Sequence, residues 1–227
     1  ADVIGMDIDD EAGSSVCLEV EGSGSVRYMH ADVSDLASIQ TSFAEAVDLL
    51  GGLDVLANPA GIHQAGITGE ITVEDWDAVF AVNVRGTMIT NQEAHPYLKE
   101  SGGGSIINFG SISGQRAEAK SAAYSATKGA VHAWTRSAAG AWGQDNIRVN
   151  AILPAMHTQM SRNAGKNLTE EQLNERYWRN YHGIALGRSY GDPDEDLGPV
   201  MVFMASDASH FITGQLLPVD GGQTNVR

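Results

Sequence analysis

Tyr124 and Lys128 stand four residues apart in Tyr124-Ser125-Ala126-Thr127-Lys128, a spacing that puts a phenol and an ammonium on one face of a helix, a turn apart. A free tyrosine keeps its proton up to a pH of about 10. A neighbouring cation favours the phenolate and brings the group toward the range in which it can exchange a proton with a substrate oxygen. Taken alone, such a pair is more commonly a surface contact. Ser111 adds a hydroxyl just after the apolar run Ile106-Ile107-Asn108-Phe109, at a strand end, where ligands of open α/β sheets sit. Asn83 places an amide inside the otherwise apolar stretch around Val82 and Val84; its ordinary role there would be a satisfied core amide.

The elements that must position these groups follow from the pattern of apolar residues. Short apolar runs alternate with longer stretches of helical period, the order that builds parallel strands joined by crossover helices. Strands are predicted at Val3 to Met6, ending at Asp7; at Val26 to His30; at Leu53 to Ala57, closing on Asn58; at Ser105 to Phe109; at Ile147 to Leu153; and at Gln215 to Val219. Helices are predicted from Ser34, as N-cap, to Leu50, and from a Thr72/Asp75 capping box through Asn83 toward Tyr97. Another spans Ala122 to Trp142, and a fourth starts at Asp192-Pro193 and runs to about Ala205. The 122–142 helix is almost wholly small or apolar, which suggests cover by the sheet on one side and by another surface on the other, a partner subunit being one candidate. Residues 156–191 carry no strand signal. With Leu173, Tyr177 and Tyr181 spaced by four, they read as a substrate lid inserted in one domain spanning residues 1–227.

The bulk composition excludes several classes. A net charge of −15 repels phosphate backbones and anionic bilayers, so neither nucleic acid nor membrane is expected as a partner. No run of the roughly 18 apolar residues needed for a span is present, and the acidic start does not resemble a signal peptide. The single Cys17 fits a reducing cytoplasm. His63, His157 and His182 lack ligand spacing and read as loop or lid residues, with no metal.

In order and spacing these residues resemble the short-chain dehydrogenase/reductase family along almost the whole chain. Asn58-Pro59-Ala60-Gly61 is similar to the Asn-Asn-Ala-Gly element, Gly110 to Gly114 to the catalytic-serine strand end, and Tyr124 to Lys128 to the catalytic helix. Asn150 to Pro154, Ile212 to Gln215 and Val219 to Gly222 resemble the nicotinamide-side and C-terminal elements. The resemblance implies a Rossmann-like, doubly wound parallel sheet with helices on both faces. It also implies that Tyr124 is the general acid/base, that Lys128 lowers its pKa and holds the nicotinamide ribose, that Ser111 orients the substrate oxygen, and that Asn83 holds a water near Lys128.

Further cofactor contacts are implied for Asp7 and Ile8 after the first strand, Asp32 and Val33 after the second, Asn58, Ala60 and Gly61 after the third, and Pro154 and Thr158 after the fifth. Asp32 could equally be a helix cap. Asp7 stands where the family's acid accepts hydrogen bonds from the adenosine ribose hydroxyls, and it would repel a 2′-phosphate, so NAD is expected over NADP. Substrate contacts are implied for Ser111, Tyr124, Met156 and Met160. The apolar and aromatic lid suggests a partly apolar or ring-shaped secondary alcohol or ketone.

No Gly-x-x-x-Gly-x-Gly turn precedes Asp7, so we expect an N-terminally incomplete fold without the family's pyrophosphate turn. In the family's order, the strand missing from this sequence lies between the one ending at Asp7 and the one ending at Asn58, which predicts a central gap in the sheet. The expected activity is hydride transfer between NAD(H) and a secondary alcohol or ketone, in a homo-oligomer, dimer or tetramer. Two rival readings are a 3-oxoacyl-thioester reductase, and a non-catalytic relative that keeps the fold for binding or assembly after losing the pyrophosphate turn.

Overall fold

The computed structural model describes residues 1–19, 22–158 and 168–224, with Arg179 by its backbone alone. Its strands are β1 (Val3–Asp7), β2 (Val26–His30), β3 (Val55–Asn58), β4 (Gly104–Phe109), β5 (Ile147–Pro154) and β6 (Leu216–Val219). All pairings are parallel. The described helices are α1 (Asp10–Glu19), α2 (Leu36–Leu50), α3 (Val73–Phe80), α4 (Thr87–Glu100), α5 (Ala122–Trp142), α6 (Glu170–Arg176) and α7 (Gly198–Ala205).

Period two along the central strands sends neighbouring residues to opposite faces. Ile106 and Val149 pack with Ile39, Phe43, Ile89, Leu98 and Ala138 on the face covered by α2, α4 and α5. Ile107 and Ile152 pack with Met204 of α7 and its neighbours on the other face. Two apolar layers thus sandwich β4 and β5, whose Ile106, Val149 and Ile152 are fully buried, and this leaves the strand ends as the place for polar chemistry.

The sheet falls into two parts, β1-β2 and β3-β4-β5-β6. The expected central gap is therefore present: among the described residues β1 pairs only with β2, and β3 only with β4. A shallow cavity of about 210 Å³ lies beside β1, lined by Asp2, Val3, Ile4, Ser25, Arg27, Leu49 and Leu50.

Two expectations about the helices are corrected, and one helix is added. Asp35 rather than Ser34 caps α2, accepting from Ala37 N–H, because Ser34 is bound to the Asp32 carboxylate through both its N–H and its hydroxyl. The acid-rich segment after Asp7 forms a further helix, α1. Asp10 and Glu11 occupy its first turn, where carboxylates suit the positive end of the dipole. The helix opened by Thr72 does continue to Glu100, but a wider π-type turn interrupts it at Ala81–Gly86. Elsewhere, Asp192 caps the last helical segment by accepting from Asp194 N–H and Glu195 N–H, with Pro193 at its first position.

The ends of the 156–191 segment are tied together by a bridge between Met156 and Gly191. Gly191 N–H donates to Ala155 O, and His157 N–H donates to Gly191 O. Thr169 caps α6 in a reciprocal capping box with Gln172; Tyr177, Trp178 and His182 follow in ring contact with one another, while the Tyr181 ring meets His157 and Tyr190.

Candidate active site

Parallel pairing puts the carboxyl ends of β3, β4 and β5 on one side of the sheet, and α5 crosses beside them. Helix α5 begins at Ala122 and carries Tyr124 and Lys128 one turn apart. Lys128 is buried, 5% exposed, and its Nζ donates to the carbonyl of Phe109, the last residue of β4, at 2.7 Å. The same Nζ stands 5.6 Å from the centre of the Tyr124 ring. Burial pushes the Lys128 ammonium down to about 8, because a charged amine loses hydration that one carbonyl replaces only in part.

Tyr124 behaves differently from expectation. Burial pushes its phenol above the ordinary value, and hydrogen bonding with Ser111 opposes that shift without overcoming it. The anticipated lowering by Lys128 does not set the direction; desolvation of the phenolate does. At neutral pH the phenol is therefore protonated and able to donate. Ser111 caps the short turn Ile112–Gly114, its hydroxyl accepting from Ser113 N–H at 3.1 Å. This bond sets the Ser111 side chain relative to the phenol.

Asn83 sits in the π-type turn, a local widening that often accompanies functional sites. Its Oδ1 accepts from Ile62 N–H at 2.8 Å, and its Nδ2 donates to Ile62 O at 2.9 Å and to Thr127 Oγ1 at 3.0 Å. Both amide protons are occupied. The side chain acts as a clamp between the loop after β3 and helix α5, which leaves no amide proton for the expected water.

Gly61 lies under this clamp. A methyl group there would come to 3.2 Å from Asn83 Oδ1, a tight contact, and to 3.6 Å from Lys128 Nζ, an ordinary one, so the backbone of the loop runs close to both. Asn58 is buried and donates to Asn108 Oδ1 at 3.5 Å, its side chain turned into the sheet, while Ala60 is half-buried and Gly61 exposed.

The remaining sites named from sequence are spread more widely. Asp7 and Ile8 lie at the end of β1 on the two-stranded sheet, Ile8 exposed, with Asp7 Oδ1 accepting from Asp9 N–H. The Asp32 carboxyl is held below the usual carboxylate range by its bonds to Ser34. Val33 packs against Gly86 so closely that a methyl group there would lie 2.9 Å from Val33 Cγ2. Pro154 ends β5 beside Val219, Met156 is buried against Gly191, and Thr158 N–H donates to Met156 O. Met160 lies outside the described residues.

Sequence reasoning missed Thr127, Ile62 and the Phe109 carbonyl as partners of the clamp. It also missed His63, whose ring meets the Tyr124 ring edge-on with centroids 4.8 Å apart and whose Nε2 pairs with Ser121 Oγ. The only signal for His63 was its nearness to Gly61.

A nicotinamide cofactor fits half of this arrangement. Glycine at position 61 and the buried Lys128 form a close cradle at the strand ends. Near Asp7, by contrast, the helix that follows the strand opens with Asp10 and Glu11, which would repel a diphosphate.

Comparison with known proteins gives a consistent result. The family model described as enoyl-(acyl carrier protein) reductase matches residues 1–224. The meso-2,3-butanediol dehydrogenase of Serratia marcescens is 36% identical over 201 residues, 88% of this chain and 76% of that protein. The 2,5-dichloro-2,5-cyclohexadiene-1,4-diol dehydrogenase of Sphingobium indicum is 35% identical over 224 residues, 98% of this chain and 86% of that protein. A crystal structure from Burkholderia xenovorans, described as that of a short-chain dehydrogenase/reductase, superposes with a TM-score of 0.88 at 29% identity. It covers 99% of this chain and 85% of the other.

Proposed function

Because the chain belongs to the short-chain dehydrogenase/reductase family, we propose that it is an oxidoreductase acting on CH–OH groups, interconverting a secondary alcohol and a ketone with NAD(H). The observation that carries this reading is the convergence of Ser111, Tyr124 and Lys128 at the carboxyl end of β4, with Lys128 bound to Phe109 O. When bound, NAD supplies the hydride acceptor. The protein's own part is proton handling and orientation. The protonated phenol of Tyr124 donates to the oxygen of a ketone, or receives the proton of an alcohol through its phenolate. The Ser111 hydroxyl orients that oxygen, and Lys128 lies beside the phenol as a buried cation that favours the phenolate when alcohol is oxidised.

Lys128, Gly61 and Ala60 would hold the nicotinamide side, with Pro154 and Thr158 beneath it, and Asp7 and Ile8 with Asp32 and Val33 the adenosine side. Asp7 at the end of β1, with no lysine or arginine among residues 1–26, favours NAD over NADP. Two relatives carry names of diol dehydrogenases, which supports a small or cyclic diol as the alcohol, with Met156 and the aromatic residues Tyr177, Trp178 and Tyr181 around it. The description of the family model supports the rival acyl-thioester reading, but the net charge of −15 opposes docking of an acidic carrier.

Helix α5 leaves Ala126, Ala133, Ser137, Gly140 and Ala141 exposed. This small-residue face supports a homo-oligomer, and a monomer by light scattering would refute it. The single Cys17 supports a reducing cytoplasm as its location.

The test is titration with NADH and NADPH by nicotinamide fluorescence, followed by turnover of NAD with meso-2,3-butanediol and cyclic diols. NADH-preferring binding with turnover is expected. Preference for NADPH would overturn the cofactor assignment, and binding without oxidation of any secondary alcohol would overturn the activity.

A further inference from the structure

We infer that His132 is a positioning residue for the reaction: its unprotonated Nε2 accepts from the backbone N–H of Ser111 and so fixes the serine turn against helix α5. This inference rests on the proposed role of Ser111. Ser111 N–H donates to His132 Nε2 at 3.3 Å. His132 follows Lys128 by four residues, as Lys128 follows Tyr124, so the three side chains form one stripe along α5. Each reaches the same short segment. Tyr124 faces the Ser111 hydroxyl, Lys128 donates to the Phe109 carbonyl, and His132 accepts from the Ser111 amide.

The surroundings of the imidazole are shaped for it. His132 is 3% exposed and lies between two glycines of the turn. A methyl group at Gly110 would come to 2.5 Å from its Nε2, and one at Gly114 to 2.7 Å from its Cε1. Only a turn without side chains at both positions can close on the ring. Burial, followed by the charges of Arg136 and Lys128, pushes the imidazole down to about 4, which agrees with an acceptor nitrogen at neutral pH. The proton is then on Nδ1. The bond acts on the backbone, so it fixes where the Ser111 hydroxyl starts, and its loss would leave a buried N–H without that partner.

The experiment compares His132→Leu, which removes the acceptor, with His132→Gln, which can restore one. In the NAD-dependent oxidation of meso-2,3-butanediol, His132→Leu is expected to lower kcat by about tenfold to a hundredfold, leaving the Kd for NADH within about twofold. His132→Gln is expected to recover a measurable part. Unchanged kcat in His132→Leu would overturn the inference, as would equal losses in the two variants, which would assign the effect to ring packing alone. A parallel fall in NADH affinity and helical circular dichroism in both would also overturn it. Amide exchange of Ser111 decides the bond without any turnover. Faster exchange in His132→Leu than in the wild-type protein, partly restored in His132→Gln, supports it, whereas unchanged exchange overturns it. Failure of the wild-type protein to oxidise any alcohol would instead strike the proposed activity, and the exchange result would still stand by itself.

Discussion

The ammonium of Lys128 lies 5.6 Å from the centre of the Tyr124 ring. Both side chains leave the same helix, so their separation is set by one turn of α5, while the bond from Lys128 to Phe109 O ties that turn to the end of β4. The pair is thus held by a helix and a strand, elements stiffer than any loop, and an acid/base group needs such support to meet a substrate oxygen repeatedly in one geometry.

Removing the phenolic oxygen should separate chemistry from binding. Tyr124→Phe keeps the ring against His63 but cannot transfer a proton. Turnover should fall by about a hundredfold to ten-thousandfold or more, with the Kd for NADH nearly unchanged. Steady-state rates and fluorescence titration on the same preparation check this, and unchanged turnover would remove Tyr124 from the acid/base role.

Lys128 carries a pH signature. Its folded pKa is depressed from 10.5 to about 8, so between those values the unfolded chain binds the extra proton. Stability from this group therefore rises with pH across that window, and the full penalty is present below it. Lys128→Met has no such group. The variant should gain on the wild-type protein by up to roughly 3 kcal/mol at pH 7, and this gain should shrink toward pH 10. Urea denaturation at the two values measures it; a gap independent of pH would show that the ammonium is hydrated. Turnover should be lost in the same variant even though the fold is more stable.

Asp7 makes a claim about the cofactor. Asp7→Ala should weaken NADH binding by about tenfold and move the NADPH-to-NADH ratio of dissociation constants toward one. Paired titrations read both numbers. An unchanged ratio would place the ribose elsewhere.

Gly110 tests the closeness of the serine turn to α5. A methyl group there would lie 2.5 Å from His132 Nε2 and 3.0 Å from Leu153 Cδ1, too near for either to yield easily, since both are buried. Gly110→Ala should cost about 1–3 kcal/mol of stability, seen as a Tm several degrees lower, and should reduce kcat with it. A variant as stable and active as the wild-type protein would show that the turn has room to move.

Much of the architecture could be read from local patterns. The runs at Val3, Val26, Leu53, Ser105, Ile147 and Gln215 became strands within about two residues of their expected ends; for β4 and β5 the reason is that a strand buried on both faces has to be continuously apolar. The helix from Ala122 to Trp142 kept its expected bounds. Helix α1 was harder to see. It has no buried residue and little amphipathic pattern, so nothing in its apolar residues marks a period.

The sequence by itself determined the family, the parallel α/β order and the types of the reacting groups, because Tyr124 and Lys128 are neighbours on one helix and Ser111 ends a recognisable apolar run. Those are local relationships, carried by spacing alone. Tertiary structure decided the rest. Burial set the direction of the Tyr124 and Lys128 pKa shifts, packing closed Gly110 and Gly114 around His132, and Asn83 was committed to Ile62 and Thr127. Each of these depends on segments 18 to 44 residues apart in the chain being brought within hydrogen-bonding or van der Waals reach. Distances and desolvation of that kind belong to the folded chain, and no periodicity in the sequence encodes them.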